Sequence, residues 1–149
     1  MKAHDSITIL AAEDDEQDRF LLQRAWKKAK LINPLVFVED GVELLEYLRH
    51  EGQWAGPKDA PRPGLILLDL NMPRMDGVEV LATLKEDKDL RSIPVIAFTT
   101  SKQDQDILKT YDLGISSFIT KPINFLDLVD IVERLKSFWL EIVEYPRPS

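Results

Sequence analysis

Short apolar runs alternate along the chain with stretches whose apolar residues recur every three or four positions. Runs at 7–12, 35–38, 65–68, 95–98 and 117–120 read as strands, several of them apolar throughout, as burial on both faces requires. Helical spacing marks 16–29, 42–50, 77–85, a segment near 104–113, and 125 to about 143. Leu22, Ala25, Trp26 and Ala29 share one face of the first helix, and Gly77, Val80, Leu81 and Leu84 one face of the third. Asp40-Gly41 opens the second helix, and the Gly- and Pro-rich stretch EGQWAGPKDAPRPG at 51–64 reads as a loop. Alternation of this kind predicts an open, doubly wound α/β domain with a parallel sheet and helices on both faces. Such folds bind ligands outside the carboxyl ends of the strands.

Composition narrows the possibilities. The 149 residues suit one domain with its own core, and 44% hydrophobic with 30% charged residues is ordinary for a soluble protein. A net charge of −7 disfavours nucleic acid and anionic membranes as partners. The chain has no cysteine, so disulfides, thiolate catalysis and Cys-ligated zinc are excluded, and His4 and His50 are too few for a His-rich metal site. No apolar signal region opens the chain and no stretch is long enough to span a bilayer, so a cytoplasmic location is expected.

Polar residues gather at the predicted strand ends. The first strand ends in Glu13, Asp14 and Asp15, the third in Asp69, the fourth in Thr99 and Thr100, and the fifth in Lys121-Pro122. Singly, each has a plain structural reading: Asp14 or Asp15 caps a helix, Asp69 closes a turn, Lys-Pro shapes a bend. Helix caps, however, require neither an acid at the third strand end nor a lysine at the fifth. Carboxylates this close cannot all stay ionised without a cation, and Lys121 balances only one of Glu13, Asp14 and Asp69. An all-oxygen donor set points to Mg2+ or Mn2+, ions that readily share a phosphate oxygen. Asp69, on the central strand before a flexible turn, is the candidate nucleophile for an aspartyl phosphate. Lys121 would hold one phosphoryl oxygen and the Thr99 hydroxyl another.

EDD after the first strand, DLNMPRMDG after the third, FTT after the fourth and ITKPI at the fifth resemble the receiver domain of two-component response regulators. The resemblance implies a flavodoxin-like fold with strand order 2-1-3-4-5 and a phosphoryl group accepted from a histidine kinase. By position it implies a metal site of Asp14, Asp69, the Asn71 backbone carbonyl and Glu13 acting through water. It casts Asp69 as phosphoacceptor, Thr99 and Phe118 as switch residues, and Lys121-Pro122 as a cis peptide. Glu13 stands where Asp is commoner, Ala11 and Ala12 replace bulkier residues, and Phe118 lacks a tyrosine hydroxyl. The 51–64 loop and the ending FWLEIVEYP are similar to stand-alone regulators of cyanobacterial phytochrome kinases.

A single receiver domain over 1–149 is therefore expected, with its core at about 6–143, no effector domain, and signalling through a surface rather than turnover beyond its own dephosphorylation. Phe138, Trp139 and Ile142, with Ile131, extend apolar character beyond the stripe Phe125, Leu128, Val129, Val132 and Leu135. That excess suggests a partner surface, with a homodimer through the fourth helix, fifth strand and fifth helix as the candidate; the other reading is a tail folded back onto the core. Trp54 reads as a lid on the long loop, with a partner anchor as the other reading. Competing functions are a phosphohydrolase of the haloacid dehalogenase type, disfavoured by Asn71 two places after Asp69, and a flavin domain, disfavoured by EDDEQD. A degenerate scaffold receiver is disfavoured by the complete set Asp14, Asp69, Thr99 and Lys121.

Overall fold

The computed structural model describes residues 7–56, 60–72, 74–99, 117–121 and 123–137, and not the side chains of Ser117 and Phe118. Its sheet holds five parallel strands in the order β2-β1-β3-β4-β5. These are β1 (Thr8–Ala12), β2 (Leu35–Val38), β3 (Pro63–Asp69), β4 (Val95–Thr99) and β5 (Ser117–Thr120). Four helices are described: α1 (Glu16–Lys28), α2 (Gly41–Arg49), α3 (Gly77–Glu86) and α4 (Phe125–Leu135). The helix expected near 104–113 and the stretch after 137, with Phe138, Trp139 and Ile142, lie outside the described residues.

Alternating strand residues feed two cores. Leu10, Ala12, Ile66, Leu68, Val95 and Ala97 meet α2 and α3 through Leu44, Leu45, Val80, Leu81 and Leu84. Ile9, Ala11, Leu65, Leu67, Ile96 and Phe98 meet α1 and α4 through Leu22, Trp26, Leu128 and Val132. Burial on both faces explains why the central strands are apolar without alternation. Each fully buried Leu or Ile contributes about 1.5–3 kcal/mol relative to an exposed one. Ile131 is half-buried and packs against the second core, so it belongs less to an open surface than the sequence suggested.

Boundaries differ from expectation mainly at β3. It begins at Pro63, inside the Pro-rich loop, because a strand's first residue needs no ladder N–H. The pairing with β1 shifts register between Thr8 and Ile9 there. Within the loop, Gly52–Trp54 forms a single 3-10 turn. Trp54 rests edge-on against Tyr47 at 4.7 Å between ring centroids, and its Nε1 donates to Glu43 Oε2 at 3.1 Å. The Tyr47 hydroxyl donates to the Pro61 carbonyl at 2.8 Å. Trp54 thus closes the loop onto α2.

Helix starts are set by side-chain caps. Asp15, Asp40, Asp76 and Asn124 each accept a backbone N–H from the first turn of α1, α2, α3 and α4. Gly77, the first residue of α3, is needed for a different reason. A Cβ there would lie 2.7 Å from Leu70 Cα and 3.1 Å from the Asp69 carbonyl oxygen. Helix propensity alone would make Gly77→Ala stabilising by about 1 kcal/mol. We predict the reverse, a loss of about 1–3 kcal/mol in urea unfolding, because the backbone at Asp69 and Leu70 must move. An equal or raised unfolding midpoint would show that this approach is not tight.

Candidate functional site

The carboxyl edge of the sheet brings side chains from separate segments together. After β1, the Glu13 N–H still donates to Val38 O at 3.0 Å, so the chain is held in the sheet through this residue. Asp15 turns away to cap α1, its Oδ1 accepting from Gln17 N at 2.8 Å and Asp18 N at 3.1 Å. Arg19 Nε donates to the Glu13 carbonyl at 2.6 Å, fixing the turn from the helix side. Asp69 closes β3, and its Oδ1 accepts the Asn71 N–H at 3.0 Å. The Leu70 N–H donates to Phe98 O at 3.0 Å, and the Lys121 N–H to Thr99 O at 2.8 Å. The ladder therefore runs on past the strand ends and holds Asp69, Thr99 and Lys121 side by side in the sheet.

One oxygen from each of Glu13, Asp14 and Asp69 lies within 4.8 Å of the others, with Glu13 and Asp69 buried and Asp14 exposed. Lys121 Nζ reaches Glu13 Oε1 at 2.5 Å, Asp18 Oδ2 at 3.0 Å and Asp69 Oδ2 at 3.2 Å. Three carboxylates thus face the Lys121 ammonium, and Asp14 adds a fourth acid to the cluster. Burial pushes the Glu13 carboxyl up to about 7, helped by Asp69 and opposed by Lys121. Burial works against the Lys121 ammonium, but Glu13, Asp69 and Asp18 together outweigh it and raise its pKa above the ordinary lysine value. Oxygen donors in net negative excess suit a hard dication.

Glu13, Asp14, Asp69 and Lys121, singled out from the sequence, are brought together. Asn71 follows in the same loop, and Thr99 is fully buried at the end of β4. The Phe118 side chain, Thr100 and Pro122 lie outside the described residues. Two participants were not foreseen. Asp18 reads in sequence as an ordinary acid in the first turn of a helix, yet it is the third partner of Lys121. Arg74 sends Nε to Asp40 Oδ2 at 2.7 Å and Nη2 to Asp40 Oδ1 at 3.0 Å, joining the loop after Asp69 to the start of α2. A cleft of about 370 Å³ adjoins the cluster, lined by Ala11, Ala12, Leu67 and Phe98 together with Glu13, Asp18 and Lys121. Ala11, on the face of β1 toward α1 and α4, leaves space where a larger residue would fill it.

Residues 9–133 match the family described as the response regulator receiver domain. The chain is 40% identical to response regulator Rcp1 of Synechocystis sp. over 138 residues, 93% of this chain and 92% of Rcp1. The crystal structure of the phosphorylated cyanobacterial phytochrome response regulator RcpA aligns with a TM-score of 0.82 at 42% identity, covering 95% of this chain and 99% of RcpA. The Mn2+-bound form of Rcp1 aligns with a TM-score of 0.80 at 39% identity, over 95% of this chain and 99% of that one.

The raised Glu13 carboxyl makes a direct prediction for protein freed of divalent cations. Its side-chain carbon resonance should titrate near 7 rather than near 4.5. The folded state then holds a proton that the unfolded chain releases, so this group's contribution to stability is full below 4.5 and is lost as pH rises to about 7. Asp69→Asn should move the titration downward by removing a neighbouring negative charge. A Glu13 midpoint in the ordinary carboxylate range would mean that the carboxylates are not crowded as described.

Proposed function

The chain belongs to the response regulator receiver family, and from that premise we propose that Asp69 accepts a phosphoryl group from a histidine kinase in a two-component phosphorelay. One observation carries the reading: carboxylates from β1 and β3 and the lysine after β5 converge at one sheet edge. An Asp69 carboxylate oxygen attacks phosphorus. The new O–P bond forms as the P–N bond to the kinase histidine breaks, and the departing imidazole takes up a proton. Asp14, Asp69 and the Asn71 carbonyl would hold Mg2+ or Mn2+ directly, and Glu13 through water. The dication supplies neutralising charge for the phosphoryl oxygens. Lys121 exchanges a carboxylate for a phosphoryl oxygen, and the Thr99 hydroxyl donates to another.

The output is a surface, not a turned-over substrate, with hydrolysis confined to the protein's own aspartyl phosphate. Movement of Thr99 toward the phosphoryl group vacates space into which Phe118 turns, biasing the face formed by 104–113, β5 and the last helix. That face is the proposed homodimer contact, and Phe138, Trp139 and Ile142 are the residues proposed to take part in it. Similarity to the cyanobacterial phytochrome response regulator RcpA supports a kinase of the phytochrome type. No described helix is long and apolar enough to cross a membrane.

Incubation with a phosphohistidine donor, or a small phosphoramidate, should label the protein only with Mg2+ present. Asp69→Asn should abolish labelling, and Lys121→Met should slow it by about 10²-fold through lost charge stabilisation. Full labelling of Asp69→Asn would contradict the assignment.

A further inference from the structure

The loop from Asp69 to α3 carries Asn71, whose carbonyl the proposed metal site requires. Its base is fixed close to the sheet: the Gly77 N–H donates to Leu70 O at 3.1 Å, the Leu70 N–H to Phe98 O at 3.0 Å, and the Asn71 N–H to Asp69 Oδ1 at 3.0 Å. The middle of the loop is held differently. Arg74 sits at φ 63°, in the left-handed region that side chains disfavour. A residue stays there only where its surroundings over-determine it.

The surroundings are on α2. The Arg74 guanidinium forks onto both oxygens of Asp40, at 2.7 and 3.0 Å. Asp40 is itself fixed, because its Oδ1 accepts the Glu43 N–H at 2.8 Å as the helix cap. Burial works against the Asp40 charge, but the Arg74 fork and the Glu43 N–H outweigh it and lower the Asp40 pKa. Next door, Gly41 lies against the Met75 carbonyl so closely that a Cβ there would collide with it, and would approach Val80 Cγ2 to 2.6 Å. Residues 74–75 are therefore seated on residues 40–41 by an ion-paired fork and a backbone contact. A planar fork fixes direction as well as distance, which a lysine would not do.

The geometry points to Arg74 as a positioning residue: through its fork on Asp40 it anchors residues 74–76 beyond Asn71, so that the Asn71 carbonyl is presented to the divalent cation. This rests on the proposed metal site, and it adds a residue that touches neither the cation nor the phosphoryl group. The Arg74 side chain is 59% exposed, so removing it should leave the folded core intact.

Mg2+ affinity is measured by calorimetry on the full chain, beside urea unfolding without metal. Arg74→Ala should weaken Mg2+ binding roughly tenfold, in the range typical of groups that orient metal ligands, with little change in the urea midpoint. Arg74→Gly separates fork from backbone, since glycine accepts the positive φ without strain. It should weaken binding as much as Arg74→Ala. Asp40→Asn keeps a cap oxygen, should weaken binding similarly, and combined with Arg74→Ala should add little more. Wild-type affinity in Arg74→Ala, or restored affinity in Arg74→Gly, overturns the role of the fork while leaving the metal site standing. Absence of Mg2+ uptake by the wild-type chain removes the metal site itself, and the positioning role with it.

Discussion

Mutual repulsion among Glu13, Asp14, Asp18 and Asp69, restrained by the ammonium of Lys121, is the constraint from which the rest of this protein follows. Two of these carboxylates are buried, where water cannot screen them. At an effective dielectric constant near 20, a pair of unit charges 4 Å apart interacts by about 4 kcal/mol. Crowding of that size is large against a typical domain stability of about 5–15 kcal/mol. The fold must therefore hold the cluster together by means other than the cluster itself.

Those means are apolar and geometric. Two cores clamp the sheet from both faces, and the parallel ladder carries on past the strand ends through Glu13, Leu70 and Lys121. Gly77 permits α3 to start directly against the Leu70 backbone, and Arg19 ties the Glu13 carbonyl to α1. Lys121 then faces three carboxylates that cannot retreat. On the proposed reading, the same surplus of negative charge that costs stability draws in a dication, whose charge together with that of Lys121 then accommodates the phosphoryl group. The cleft beside Ala11 and Ala12 leaves room for Lys121 to change partners.

The strand order came only with the resemblance to the receiver family, but the strands and their ends were legible because burial on both faces leaves an unmistakable apolar signature, and parallel topology places all carboxyl ends on one edge. Glu13, Asp14, Asp69 and Lys121 followed from that rule. Asp18 did not, since an acid in a helix's first turn already has a local explanation in the helix dipole. The Arg74–Asp40 fork joins residues 34 apart in sequence, and no local pattern predicts which surface arginine finds which cap. The contact of Glu43 with Gln53 and Trp54 was hidden in the same way: a buried acid on an amphipathic helix looks like a solvated one until the loop that covers it is placed. Pro63 marked a loop in sequence and proved to be the first residue of a strand, where its missing N–H is harmless.

Thermal unfolding of the wild-type protein and Asp69→Asn, each with a chelator and with saturating Mg2+, tests the central claim most directly. If the cluster is held against its own repulsion, Asp69→Asn unfolds about 2–4 °C higher than wild type in chelator, the shift expected for roughly 1 kcal/mol in a chain this size. Mg2+ then stabilises the wild type much more than the variant. A variant that is less stable than wild type in chelator, with the same Mg2+ response, would contradict the account, for it would mean that Asp69 is a stabilising partner of Lys121 and nothing more.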